Sequence, residues 1–341
     1  MPFIDTQPTR EDYWRSIVLF GRNVASYKFA LAKSLLELAS SEPTFIRLED
    51  LAVPFSRHVA EHLNGADKQT TSSSSRFLEE CRKFNRGELD KDALVLKTVS
   101  LGFQNVIDAF HVVNQGAIPV QFFKDERKQR GGIVITDEFL KLKETLQFEN
   151  LPSETEARWR LVETAWELGL HPALLSVRYD RNSSVFYVKD GVRRRMDVTS
   201  ARDALDGYQK GKCFYCSREI SILPLSPSRA DVDHFLPHTL LVSGDVKANL
   251  NGVWNLVLAC QECNRGERGK FARVPKIKYL ERLHQRNSYL IESHHPLRET
   301  LIAQTGATEP LRRQFLQQQY SASKSLLVHD WAPVVVVEAK L

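Results

Sequence analysis

In the stretch ADVDHFLPH, residues 230–238, two carboxylates and an imidazole crowd together: Asp231, Asp233 and His234. On a strand, residues i and i+2 share a face, so both carboxylates point to one side. A solvated strand edge accounts for the two acids. The histidine, whose unperturbed pKa lies near neutrality, adds a second expectation: a carboxylate to hold a metal, with a general base for water beside it. Pro237 ends the extended run.

Four of the five cysteines enclose this stretch. Cys213/Cys216 and Cys260/Cys263 are each C-x-x-C, the spacing at which two thiolates reach one tetrahedral zinc. Cys81 stands alone in a helical pattern and reads as a small buried hydrophobe. The N-terminus MPFIDTQPTRED is no secretory signal and no apolar run reaches membrane-spanning length, so a cytoplasmic setting is expected, with zinc rather than disulfides. Zinc pinning both ends would bring Asp233 near Asn264, on the short helix that starts at the second cysteine pair. Both offer oxygen, which suits one hard cation such as Mg²⁺ or Mn²⁺. His234, at the strand end, is the expected base.

The elements that must position these groups follow from periodicity. The chain has 341 residues, 42% hydrophobic, and a net charge of +5, which permits a polyanionic partner without demanding one. Residues 1–123 read as a mostly helical domain: Thr9 with Asp12 resembles a capping box, and YWRSIVLFGRNVASYKFALAKSLLEL keeps helical spacing. NGADKQTTSSSS, residues 64–75, reads as a loop without order. Residues 124–175 read as a charged connector and a helical segment capped by Ser153 with Glu156. From 176 to 300 the pattern changes to an α+β domain. VFYVKDGVRRRMDV predicts a hairpin turning at Asp190-Gly191, with Arg193 and Arg195 on one face; a short helix follows and ends near Lys210. Residues 301–341 read as a helix and a strand-like tail, WAPVVVVEAKL, suited to joining a sheet or a partner. His58, His62 and His111 sit in helical patterns as structural residues, His294 and His295 in a loop or helix end, and Trp254 in the core.

GKCFYCSREI, ADVDHFLPH and WNLVLACQECNRG, within residues 211–275, resemble the HNH, or ββα-metal, endonucleases. DVDHFLP is similar to the corresponding stretch in the HNH domain of RNA-guided CRISPR nucleases, and the cysteines resemble the zinc knuckle that braces many HNH proteins. The resemblance covers about a fifth of the chain and implies a small ββα-metal domain braced by four cysteines. It makes His234 the general base, Asp233 and Asn264 the metal ligands, and Asn255 the middle asparagine that braces the loop carrying the histidine. Asp231 and His238 are supporting positions. The implied reaction is hydrolysis of DNA phosphodiesters to 5′-phosphate and 3′-hydroxyl ends. Arg265, Arg268 and Lys270 lie where backbone phosphates would pass, with Arg193 and Arg195 as further contacts.

Double-stranded DNA is the expected partner, ahead of RNA. A homodimer or an activating protein is a further expectation, as is a defence or restriction setting by analogy. The alternative is a non-catalytic zinc-knuckle module that binds nucleic acid or protein. Such a module has no need for a neutral-pH base beside two oxygen ligands.

Overall fold

The first helix begins at a reciprocal cap. The Asp12 carboxylate accepts the Thr9 N–H at 3.0 Å, and the Thr9 hydroxyl accepts the Asp12 N–H at 3.2 Å. The computed structural model describes residues 8–20, 25–38, 45–72, 74–113, 116–168, 177–189, 195–241, 248–292 and 297–334. The chain mixes helices with small sheets and divides into two units, residues 1–169 and 170–341.

In the first unit, α1 (Arg10–Phe20), α2 (Tyr27–Leu38), α3 (Leu48–Gly65), α4 (Arg76–Asn85) and α5 (Leu151–Glu167) gather around large aromatic side chains. Trp14, Phe29, Phe55, Phe110, Phe122, Phe139 and Trp159 are each no more than 1% exposed. A three-stranded antiparallel sheet places Gly132–Ile135 between Phe45–Arg47 and Phe123–Glu126. Residues 124–168, read as a charged connector followed by a helical segment, fall within this unit, and the helical segment is α5. Their charges mark exposed strand and helix faces, while Ile133, Phe139 and Trp159 supply core. Ser153 is not the cap: α5 starts at Leu151, with proline in its first turn. Within the polar stretch 64–75, Gln69 is fully buried and Thr70 bridges Ala25.

Gln69 belongs to a polar seam inside the apolar packing. His62 on α3 stacks on Trp159 of α5, ring centroids 3.5 Å apart. Its Nδ1 lies 2.8 Å from Glu163 and its Nε2 3.1 Å from Glu156. Gln69 donates to Glu163 at 2.9 Å and accepts the Trp159 N–H at 2.8 Å. Lys33 completes the seam on Glu156 at 2.6 Å. Burial alone would lower the His62 pKa, but the two carboxylates win and raise it. The same contacts, against burial, hold Glu156 well below the usual carboxylate range.

The second unit opens with an antiparallel sheet of β1 (Arg178–Asp180), β2 (Val185–Lys189) and β3 (Arg195–Ser200). The expected hairpin is β2–β3, and Arg195 sits opposite Lys189 in its register. Its turn, with Arg193, lies outside the described residues, as do His294, His295 and residues 335–341 of the tail. Helix α6 (Ala201–Gln209) then leads to the first cysteine pair. β4 (Asp231–His234) pairs antiparallel with β5 (Leu256–Ala259), and α7 (Gln261–Arg265) follows directly. Helices α8 (Ile277–Glu292), α9 (Arg298–Thr305) and α10 (Glu309–Leu326) complete the unit. Trp331 of the tail lies in a short parallel pair with Val274–Pro275.

The seam sets a pH window for the first unit. A raised histidine pKa contributes stability that is fully present below about pH 6.5 and is lost as pH rises through the raised value. Glu156, depressed, contributes above about pH 4.3 and loses its share as pH falls. Urea unfolding across pH should show an alkaline loss that His62→Gln abolishes. His62→Ala, which leaves Glu163 buried without its imidazolium, should cost roughly 3–5 kcal/mol. An alkaline limb unchanged in His62→Gln would reject this assignment.

Candidate functional site

The first C-x-x-C is a tight knuckle. The Cys213 N–H donates to Arg218 O at 2.8 Å and the Ser217 N–H to Cys213 O at 3.0 Å, with Ser217 at φ 61° closing the turn. The Phe214 N–H donates to Leu258 O at 2.9 Å, fastening the knuckle to β5. Gln209, at the end of α6, bonds both the N–H of Leu258 (2.7 Å) and its carbonyl (2.8 Å). Cys260 and Cys263 sit at the start of α7.

All four cysteines are buried, and their sulfurs lie within 4.8 Å of one another, the one such cluster among the described residues. Zinc with thiolates at about 2.3 Å requires sulfurs about 3.8 Å apart along a tetrahedral edge; Cys216 and Cys260 stand at 3.7 Å. The donor set fits a structural metal such as zinc.

Across the β4–β5 ladder, His234 faces Leu256 and Asp233 faces Val257. Immediately after His234 the chain is clamped by Asn255, which is fully buried. Its Oδ1 accepts the Leu236 N–H at 2.8 Å, its Nδ2 donates to the carbonyls of Leu236 and Leu250 at 2.9 Å, and its carbonyl accepts the Phe235 N–H at 2.7 Å. Gly252 makes this loop feasible: a Cβ there would meet the Trp254 ring at 2.6 Å. The His234 imidazole is 6% exposed. Its Nε2 lies 2.8 Å from Asn251 Oδ1, which only accepts, so Nε2 carries the hydrogen and Nδ1 keeps its lone pair. Burial, with the charges of His238, Arg181 and Lys270, lowers its pKa to about 4 despite that bond. At neutral pH the imidazole is a proton acceptor.

Asp233 turns into the interior, 7% exposed. Tyr215, the residue between the cysteines of the first knuckle, donates its hydroxyl to Asp233 Oδ2 at 2.6 Å. Lys270 Nζ stands 3.3 Å from Oδ1 and donates to the carbonyls of His234 (3.0 Å) and Phe271 (3.2 Å). Burial pushes the Asp233 carboxyl up, against the pull of this ammonium and of the phenol. Lys270, expected as a phosphate contact, is thus fully buried, with its N–H groups on acceptors beneath His234. The turn CNRGERGK explains why. Gly269 packs where a Cβ would come within 2.9 Å of backbone, and the Lys270 N–H returns to Cys263 O at 2.7 Å.

Asn264 is brought to Asp231 rather than held on Asp233: its Nδ2 donates to Asp231 Oδ2 at 3.0 Å, and Arg265 Nε joins the same oxygen at 2.9 Å. Arg265 and Arg268 remain exposed. His238 opens a short 3-10 turn, its ring centroid 5.6 Å from that of His234. The sequence reading missed Tyr215 and Asn251. Tyr215 was open to detection from its place inside C-x-x-C, whereas Asn251 meets His234 only through the loop that Asn255 clamps.

Two expectations follow. The folded chain should carry one zinc, and Cys213→Ser should lose it. Structural zinc is worth about 10–16 kcal/mol against a total stability of about 5–15, so the second unit should then no longer melt cooperatively. Full metal-free melting in calorimetry, with metal content read by elemental analysis, would contradict this. Tyr215→Phe should keep its zinc and lose about 1–3 kcal/mol, because a buried carboxylate forfeits a donor. Unchanged denaturant stability would show that the 2.6 Å contact carries no weight.

No protein-family model, curated protein or solved structure matches the chain.

Proposed function

We propose that residues 170–341 form a metal-dependent HNH-type endonuclease that hydrolyses DNA phosphodiesters. One observation carries this reading: His234 is buried, neutral at physiological pH, and fixed through Nε2 on Asn251 at the end of the strand that also carries Asp231 and Asp233, with Asn264 bonded to Asp231. A zinc-binding module that only docks its partner gains nothing from such a base.

In this reading His234 Nδ1 takes a proton from water as the water oxygen bonds to phosphorus. The bond from phosphorus to the 3′ oxygen breaks on the opposite side, and that oxygen is protonated from solvent. The products carry 5′-phosphate and 3′-hydroxyl ends. Asp233 and Asn264 would hold a single Mg²⁺ or Mn²⁺ through oxygen, and that ion would neutralise charge on the phosphoryl oxygens and on the leaving oxygen. Those donors suit a hard cation in kind: Asn264 commits its NH₂ to Asp231 and keeps its carbonyl oxygen for a metal. Lys270 holds the same Asp233 carboxylate at 3.3 Å, so an ion must share or displace that contact. Asn255 and Lys270 keep the backbone of 234–236 in place while His234 gains charge. Arg265 and Arg268, exposed beside Asn264, would meet phosphates.

The same lysine favours the second reading, a non-catalytic zinc-knuckle module, since it already neutralises Asp233. Supercoiled plasmid decides between them, incubated with Mg²⁺, Mn²⁺ or chelator and with His234→Ala and Asn264→Ala. Metal-dependent nicking that drops by about 10²–10⁴ in His234→Ala supports the enzyme. Cutting equal in wild type and both variants would sink it. The rate should also stay flat from pH 8 to pH 6, because His234 titrates near 4 rather than near 6.5. An acid limb centred at 6.5 would contradict the buried, neutral base. Residues 1–169 would then select DNA, pair two copies or receive an activating partner, in a defence or restriction setting.

A further inference from the structure

Beside His234 lies a cavity of about 460 Å³ within the second unit, its walls including Arg178, Tyr179, Tyr187, Asn249, Asn251 and Gln304. That volume falls within the roughly 300–1,000 Å³ of small-molecule sites. Asn251 joins the cavity to the candidate base, since the amide that holds His234 Nε2 at 2.8 Å also forms one wall. Tyr179 joins it a second time, its ring edge-on to His234 with centroids 6.1 Å apart. The β1–β2 register sets Arg178 directly opposite Tyr187 on the sheet that forms the far wall. Whatever fills this space touches the surroundings of His234.

The lining chemistry identifies the occupant. Three carboxamides and two phenols face the cavity, with a single guanidinium. A phosphate would call for several cations. A carboxamide instead carries its NH₂ in one plane with its carbonyl, the pattern that a nucleobase edge requires; the oxygens of Asn249, Asn251 and Gln304 each accept one bond from the protein and keep a second lone pair. A tyrosine ring supplies a stacking face that tolerates any base.

We propose that this cavity receives one nucleobase, unstacked from the strand whose phosphate lies at His234; the proposal rests on the nuclease reading and specifies its substrate. Extruding a base costs a few kcal/mol in a paired duplex and little where it is mispaired or single-stranded. The preferred substrate is therefore DNA with an unpaired nucleotide beside the scissile phosphate.

Saturation-transfer NMR on the full chain in magnesium-free buffer tests this, with 2′-deoxyadenosine 5′-monophosphate and 2′-deoxyribose 5-phosphate as separate probes. The base protons should receive more saturation than the sugar protons, and the sugar phosphate should bind far more weakly. Tyr187→Ala and Gln304→Leu, at unchanged melting temperature, should each weaken the nucleotide about tenfold. Equal binding of the two probes to wild type overturns the proposal without any variant, as do two folded variants that bind like wild type. Plasmid nicking is scored apart. Nucleotide binding without cutting keeps the pocket and removes the nuclease; cutting without nucleotide binding removes the pocket.

Discussion

Four sulfurs within 4.8 Å of one another, drawn from two points more than forty residues apart in the chain, set the geometry of the second unit's candidate site. Closing such a loop costs entropy that grows slowly with its length, and metal binding offsets it outright. Each knuckle is then tied to what lies next to it. The first is bonded to β5 through Phe214, and the second opens α7, which presents Asn264 to Asp231. Tyr215 carries the constraint inward, because a residue between two cysteines is also the donor on Asp233. The cysteine cluster and Asp233 are thus linked through one knuckle residue, and distortion of the knuckle reaches the carboxylate within a single hydrogen bond.

Around that frame, burial and partner choice decide charge. His62 and His234 are both almost wholly inside the protein, yet their pKa values move in opposite directions from that of an ordinary histidine. His62 has a carboxylate on each nitrogen, and these overcome desolvation to raise its pKa. His234 has one neutral amide and three positive or titratable neighbours in Lys270, Arg181 and His238, so desolvation prevails. The first arrangement is a structural seam between helices. The second leaves a lone pair on a group that can accept a proton, which is what a hydrolytic base needs. Lys270 sits where both demands meet, neutralising Asp233 while holding the carbonyl of His234. An isolated buried lysine would cost several kcal/mol, so its position requires all of these acceptors together.

Local chemistry was legible in the sequence wherever a signal is carried by near neighbours. The capping box at Thr9 and Asp12, the β2–β3 hairpin, the paired cysteine knuckles and the short helix after them follow from spacings of two to four residues or from alternation. The juxtaposition of Asp231, Asp233 and His234 was visible for the same reason. What only the tertiary structure decided is which of these groups meet. Asn264 reaches Asp231 across 33 positions, Asn251 reaches His234 across 17 and Lys270 returns beneath β4 across 36. Basic residues that look alike in sequence separate there: Lys270 is enclosed because a glycine turn folds it back, while Arg268 stays in water. Likewise the charged stretch 124–132 reads as a connector in sequence, because charge reports a surface and not the core behind it. The identities and spacing of the residues determined what chemistry the chain can offer. Long-range closure, through the cysteine cluster, buried hydrogen bonds and desolvation, decided which atoms face one another, since those depend on free energies that no short window of sequence contains.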